Sequence, residues 1–239
     1  MHRPLRNAHV IVCIAAAMAA TSPPAQAQTI SGSAGAVPAA TPRPTPDDPY
    51  AHAVLFYIEG DYETCLERIA DFESRKNPDF RSALLKGAAL ARLARFDEAR
   101  QAFLLAERID PVDPAVPLSF AELELIQGRT DAARGHLKRS LRAAKPEHRE
   151  QARFLLVLSH LRDRDRGLAG EAAKSLPWPS ATPARAYALA ALAFHDGDAR
   201  TATDQMQEAE RIFGAVRTLS FADTLVSMGW LKPRYAVTP

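Results

Sequence analysis

Cysteine is nearly missing from this chain. Its 239 residues hold only Cys13 and Cys65, and Cys13 lies inside an apolar N-terminal run. Once that run is removed, as argued below, a single cysteine remains and no intrachain disulfide can form. Long apolar stretches are missing too. The run VIVCIAAAMAA, residues 10–20, is well short of the roughly 20 residues a spanning helix needs. No segment alternates β-branched and polar residues, which argues against a sheet. Catalytic and metal signatures are also wanting. His52, His136, His148, His160 and His195 form no H-E-x-x-H or related ligand spacing. There is no G-x-S-x-G, no phosphate loop and no dinucleotide fingerprint. The expectation is a non-enzymatic protein with no catalytic residue, no metal and no cofactor.

An excess of one charge is absent as well. The chain carries 30 Lys and Arg against 28 Asp and Glu, a net charge of +2. That surplus is Arg3 and Arg6, which belong to the N-terminal segment. The remainder is balanced, so it has no basic field to gather nucleic acid or anionic lipid.

What is present begins with an export signal. Residues 1–27 combine the two arginines, the apolar run and the A-x-A site Ala25-Gln26-Ala27. Cleavage is expected between Ala27 and Gln28, leaving no integral membrane segment. Residues 28–48 are rich in Pro, Ala, Thr, Ser and Gly and read as a flexible linker.

From residue 49 the composition turns helical and repeats. The stretch KGAALARLARFDEARQAFLLAERIDP holds Gly87, Leu90, Phe96, Ala99, Phe103, Ala106 and Pro111. Stepping back 34 residues gives Ala53, Phe56, Tyr62, Cys65, Ile69, Phe72 and Asn77. Stepping forward 34 gives Ala121, Glu124, Thr130, Ala133, Leu137, Ser140 and Lys145. A turn residue recurs at Gly60, Ala94 and Gly128. A fourth unit continues through Leu155, Leu158 and Gly167, then loses register and gains one residue. A fifth starts near Pro183 and supplies Ala190, Ala193, Gly197, Ala202, Met206 and Ala209. Small residues at fixed steps mark close helix–helix approach, and the aromatics fill the wider gaps. Cys65 shares its slot with Ala99, Ala133 and Ala202, which makes it a small buried side chain. Ala99 is placed at a helix contact and Arg100 on the solvent side. Pro111 and Pro146 are read as stops.

This pattern resembles the tetratricopeptide repeat (TPR) family. The unit at residues 80–113 follows its small–aromatic–small–aromatic–small–Pro order. The resemblance implies an all-α, right-handed superhelix of stacked antiparallel helix pairs. It covers five hairpins over residues 49–214, the fourth degenerate. A capping helix is expected over residues 215–232 and a tail over 233–239.

The resemblance also implies a ligand-binding concave face lined by the first helix of each pair. Carried over by position, that face comprises Tyr50, Val54 and Tyr57; Leu84, Ala88 and Ala91; Leu118, Glu122 and Leu125; and Tyr187, Ala191 and Phe194. The Lys and Asn of the family's carboxylate clamp are not at these positions, so the groove is expected to be apolar with one acid, Glu122. Such grooves accept amphipathic helices or extended apolar peptides. The expected role is a periplasmic protein-interaction scaffold that helps assemble or regulate a cell-envelope complex. The alternative is a self-associating accessory protein of a secretion, pilus or polysaccharide-export system, with homo-oligomers. Partner capture is expected to survive salt, and the pair Leu84→Ser, Leu118→Ser to weaken it without unfolding the domain. The alternating charges of residues 162–167 are read as a solvated turn.

Overall fold

The computed structural model describes residues 48–142 and 145–232. The signal with its Ala27/Gln28 junction, almost all of the linker, and the tail lie outside the described residues. Within them are eleven α-helices and no strand. They pair as α1 (Pro49–Glu59) with α2 (Tyr62–Arg75), α3 (Phe80–Arg92) with α4 (Phe96–Ile109), and α5 (Ala115–Ile126) with α6 (Thr130–Ser140). Next come α7 (Pro146–Arg162) with α8 (Arg166–Lys174), and α9 (Ala184–His195) with α10 (Ala199–Phe213). A last helix, α11, spans Ala215–Ser227. Each pair also packs on the next, so the hairpins form a stack. A hairpin alone leaves one face uncovered, and its neighbour buries it.

The turns inside the five pairs are alike. A residue with left-handed backbone sits at Gly60, Ala94, Gly128, Arg164 and Gly197, with φ between 57° and 82°. At each, two amides return to the carbonyls ending the first helix, as in Gly128 N to Leu125 O at 2.9 Å and Arg129 N to Glu124 O at 2.8 Å. This arrangement satisfies carbonyls that a helix end otherwise leaves open. Aspartates then cap many of the helices. Asp61, Asp165 and Asp198 accept from the backbone at the starts of α2, α8 and α10, and Asp48, at the end of the linker, caps α1.

The small-residue slots hold the pairs together. Cys65, Ala99, Ala133 and Ala202 are fully buried. Burial pushes the Cys65 thiol up to about 12, which makes it a packing residue. Gly87 is buried so closely that an added Cβ would lie 2.3 Å from the Phe103 ring. Gly87→Ala is therefore expected to cost about 1–3 kcal/mol despite raising helix propensity. A urea melt checks it, and an unchanged or raised midpoint would show that the contact is not tight.

The fourth unit departs from the expected register. Its turn residue, Arg164, comes 36 positions after Gly128 where the earlier step is 34. Two residues are inserted in α7, the longest helix at 17 residues. Gly167 is consequently exposed within α8, and Ala169, 0% exposed, holds the small slot instead. Pro146 also needs correcting. It occupies the first turn of α7 and starts that helix, where its missing N–H costs nothing. Pro111 lies in the turn after α4.

Arg100 is a further correction. Its guanidinium bonds Glu124 at 2.5 Å, and Arg129 bonds the same carboxylate. Glu124 is buried in a slot that is apolar in the two preceding units, as Phe56 and Leu90. Burial pushes its carboxyl up, but the bonds from Arg129 and Arg100 outweigh this and hold it below the usual range. Ala99→Leu is still expected to lower stability by about 1–3 kcal/mol through overpacking. Arg100→Leu strips one partner from a buried carboxylate and is expected to cost a similar amount.

Candidate partner-binding face

The inner face is built by α1, α3, α5, α7 and α9. Counted from each turn residue, the same positions recur in all five pairs. Ten residues before the turn stand Tyr50, Leu84, Leu118, Phe154 and Tyr187. Six before stand Val54, Ala88, Glu122, Leu158 and Ala191, and three before stand Tyr57, Ala91, Leu125, Leu161 and Phe194. The two-residue insertion hid the fourth set from a fixed step of 34. Phe154, Leu158 and Leu161 are members that spacing alone missed.

This face is occupied. Helix α11 leaves α10 through the single residue Gly214 (φ 81°, ψ 152°) and packs on α9 and α10 as an end cap would. It then reaches back across the inner helices of the earlier pairs. The Phe221 ring lies 5.1 Å from that of Phe154 and 5.6 Å from that of Tyr187. Phe221, Ala222 and Leu225 share one apolar core with Leu118, Leu125, Phe154, Tyr187 and Ala191, and Phe194 packs against it. Tyr50, Val54 and Tyr57 instead form a cluster with α2 that Ala88 abuts, and Leu84 belongs to the core of the second pair. Leu84 and Leu118 are 2% and 0% exposed, so neither offers a free surface and a double serine variant is expected to unfold the domain.

A polar node anchors the far end of α11. Arg92 donates to Glu122 at 2.7 Å, to the Ser227 hydroxyl at 2.7 Å and to the Asp223 carbonyl at 3.4 Å. Thr224 donates to the same Glu122 oxygen at 3.1 Å. Arg162, in the slot of Arg92 two pairs on, contacts the Met228 sulfur. Glu122 is thus the acid of the face, as its position implies, but it is engaged. A cavity of about 30 Å³, room for one water, remains beside α11 between Tyr57, Leu84, Arg92, Glu122 and Ser220. Arg92 could have been suspected from its place one turn after Ala88. The hydroxyls of Thr224 and Ser227 gave a weaker hint, since they interrupt an apolar stripe.

Two of the charges of residues 162–167 pair within the stack. Asp163 accepts from Arg134 and Thr130, and Arg166 bonds Asp196. Among the described residues no group of three His, Cys, Asp or Glu is placed to hold a metal, and no helix is long and apolar enough to cross a membrane.

Three histidines are buried to differing degrees, and burial holds each ring below its usual value of 6.5. His136 stacks on Phe120 at 5.1 Å, while His148 and His160 both lie on α7. The unfolded chain therefore takes up protons that the folded chain refuses. Stability is expected to fall as the pH drops below about 6.5, until the folded rings titrate. Urea midpoints across that range check the sign, and His148→Gln should flatten the slope. A midpoint that rises on acidification would contradict it.

The crystal structure of a thermophilic TPR protein from Thermus thermophilus is similar to this chain, with a TM-score of 0.58. The match covers 74% of this chain and 97% of that one, at 17% identity. The chain has a TPR-like repeat fold. No protein-family model matches it, and no curated protein is similar to it in sequence. At that identity the likeness speaks for architecture alone. A stack of this kind presents one extended inner surface.

Proposed function

We propose that this chain is a non-enzymatic interaction scaffold of the bacterial periplasm, which assists assembly or regulation of a cell-envelope complex. Its inner face receives an amphipathic helix of the partner in place of α11. The observation that carries this reading is the seating of α11. A face that encloses Phe221, Ala222 and Leu225 and ends on the Arg92–Glu122 node is shaped for a helix with an apolar stripe and a hydroxyl-bearing end. Export is supported by the arginines, apolar run and A-x-A site of residues 1–27.

A labelled peptide of residues 214–230 tests the face. The full chain carrying Phe221→Asp should bind it, because its own helix no longer fits. The unaltered chain should bind at least about tenfold more weakly, since a tethered helix competes at millimolar effective concentration. Failure of the variant to bind, with its helical circular dichroism retained, sinks the reading. Solution mass separates it from self-association. Cell fractionation with intact-mass analysis tests export. The expected species is periplasmic and begins at Gln28, and a membrane-bound form retaining Met1 would refute it.

A further inference from the structure

The link between α10 and α11 is a single residue. Gly214 has φ 81° and ψ 152°, a backbone region that essentially only glycine enters. Space does not demand a glycine there, because an added Cβ would meet nothing within 4 Å. The bend alone demands it. The Gly214 amide still bonds the Glu210 carbonyl at 2.8 Å, so α10 runs intact up to the bend. No side chain caps the start of α11. The bend thus separates the first amides of α11 from the last carbonyls of α10, which a continuous helix would pair. Straightened at Gly214, the segment Ala199–Ser227 would form one helix about 43 Å long. Phe213 and Arg217 meet across the bend, with the guanidinium 5.3 Å from the ring centre. They stand four positions apart and would stay neighbours on the straight helix.

Straightening carries α11 off its own face. The contacts it gives up are with the inner helices. Phe221 meets Phe154 of α7 and Tyr187 of α9, and the polar node joins it to Arg92 of α3 and Glu122 of α5. None of these four residues belongs to α10, so the α11 of another molecule can make the same contacts. A second copy straightened in the same way presents an uncovered face and a free helix of identical sequence. Reciprocal exchange closes as a twofold dimer.

We propose that the inner face also accepts the α11 of a second copy, with Gly214 as the hinge that selects between the two. This rests on the reading of α11 as a removable occupant. While Gly214 permits the bend, the tethered helix outcompetes a second copy and the chain is monomeric at ordinary concentration. A side chain at that position opposes the bend and leaves the straight helix favourable. In the dimer both faces stay covered, so a partner's helix competes with the exchanged α11 as it does with the chain's own.

Light scattering on Gly214→Ala, refolded from urea over a range of concentrations, tests this. The variant should dimerise at concentrations at least about tenfold below those the unaltered chain requires, because the strain of the bend is relieved in both copies. The added Cβ meets no atom, so the five pairs should keep their helical circular dichroism. Gly214→Ala combined with Phe221→Asp should be monomeric, since its helix fits neither face. A dimer that survives Phe221→Asp is held by another surface and overturns the proposal. A Gly214→Ala chain that stays monomeric, compact or elongated, also overturns it. If the Phe221→Asp chain still binds the peptide of residues 214–230, that failure strikes the exchange alone. If it binds no peptide, the reading of the face falls as well.

Discussion

Replacing Glu150 with alanine is expected to destabilise the protein by about 3 kcal/mol and to open residues 175–183 to proteolysis. Glu150 is 2% exposed on α7. Its two oxygens accept four hydrogen bonds from the segment between α8 and α9. The donors are the Ser180 hydroxyl at 2.8 Å, the Ala181 amide at 3.1 Å, and the Thr182 amide and hydroxyl at 3.0 and 2.6 Å. Removing the acceptor orphans donors near a buried site, at about 1–3 kcal/mol each where water cannot replace it. The segment lies at the edge, so some donors regain water and the total stays below the sum. Glu150→Gln keeps one acceptor and should lose about half as much. Limited proteolysis reads the loop and urea melts read the total. Unchanged cleavage in the alanine variant would show that Glu150 does not hold the segment.

The second large effect concerns α11. Phe221→Asp places a charge where a ring 1% exposed meets Phe154 and Tyr187. Deleting a buried Phe ordinarily costs about 3–5 kcal/mol, and burying a carboxylate adds to that. The expected response is local. Helix α11 should leave the face while the five pairs stay helical, because each pair has its own contacts with its neighbours. Leu118→Ser should behave differently. Leu118 is fully buried within the stack, so its loss of about 2–5 kcal/mol falls on the whole cooperative unit. A single transition for both variants, with equal loss of helix, would mean that α11 is an inseparable part of the core.

The stack was legible in the sequence because close helix contacts tolerate only small residues, and that constraint recurs at Cys65, Ala99, Ala133 and Ala202. The fourth pair was legible only in part. An insertion of two residues in α7 keeps each helix amphipathic while moving its slot from Gly167 to Ala169. Spacing taken across the insertion therefore lands one turn-edge away. The members of the inner face could be carried over by position, but their burial could not. The apolar stripe of α11 suits packing on the end of the stack as well as folding back over it, since either buries the same side chains. What selects the second outcome is the node of Arg92, Glu122, Thr224 and Ser227, whose members stand up to 135 positions apart. Nothing local in the sequence announces such a pairing. Glu150 escaped notice for a related reason, because a glutamate in a helix ordinarily faces solvent.

Amide hydrogen exchange on the full chain tests the central claim most directly. The claim is that the TPR-like inner face holds its own C-terminal helix as a removable occupant. Residues 216–228 should be protected by docking, yet exchange faster than α5, α7 and α9, and independently of global unfolding. Exchange at the rate of a free peptide would contradict the docked helix. Exchange only as fast as the core would contradict its release.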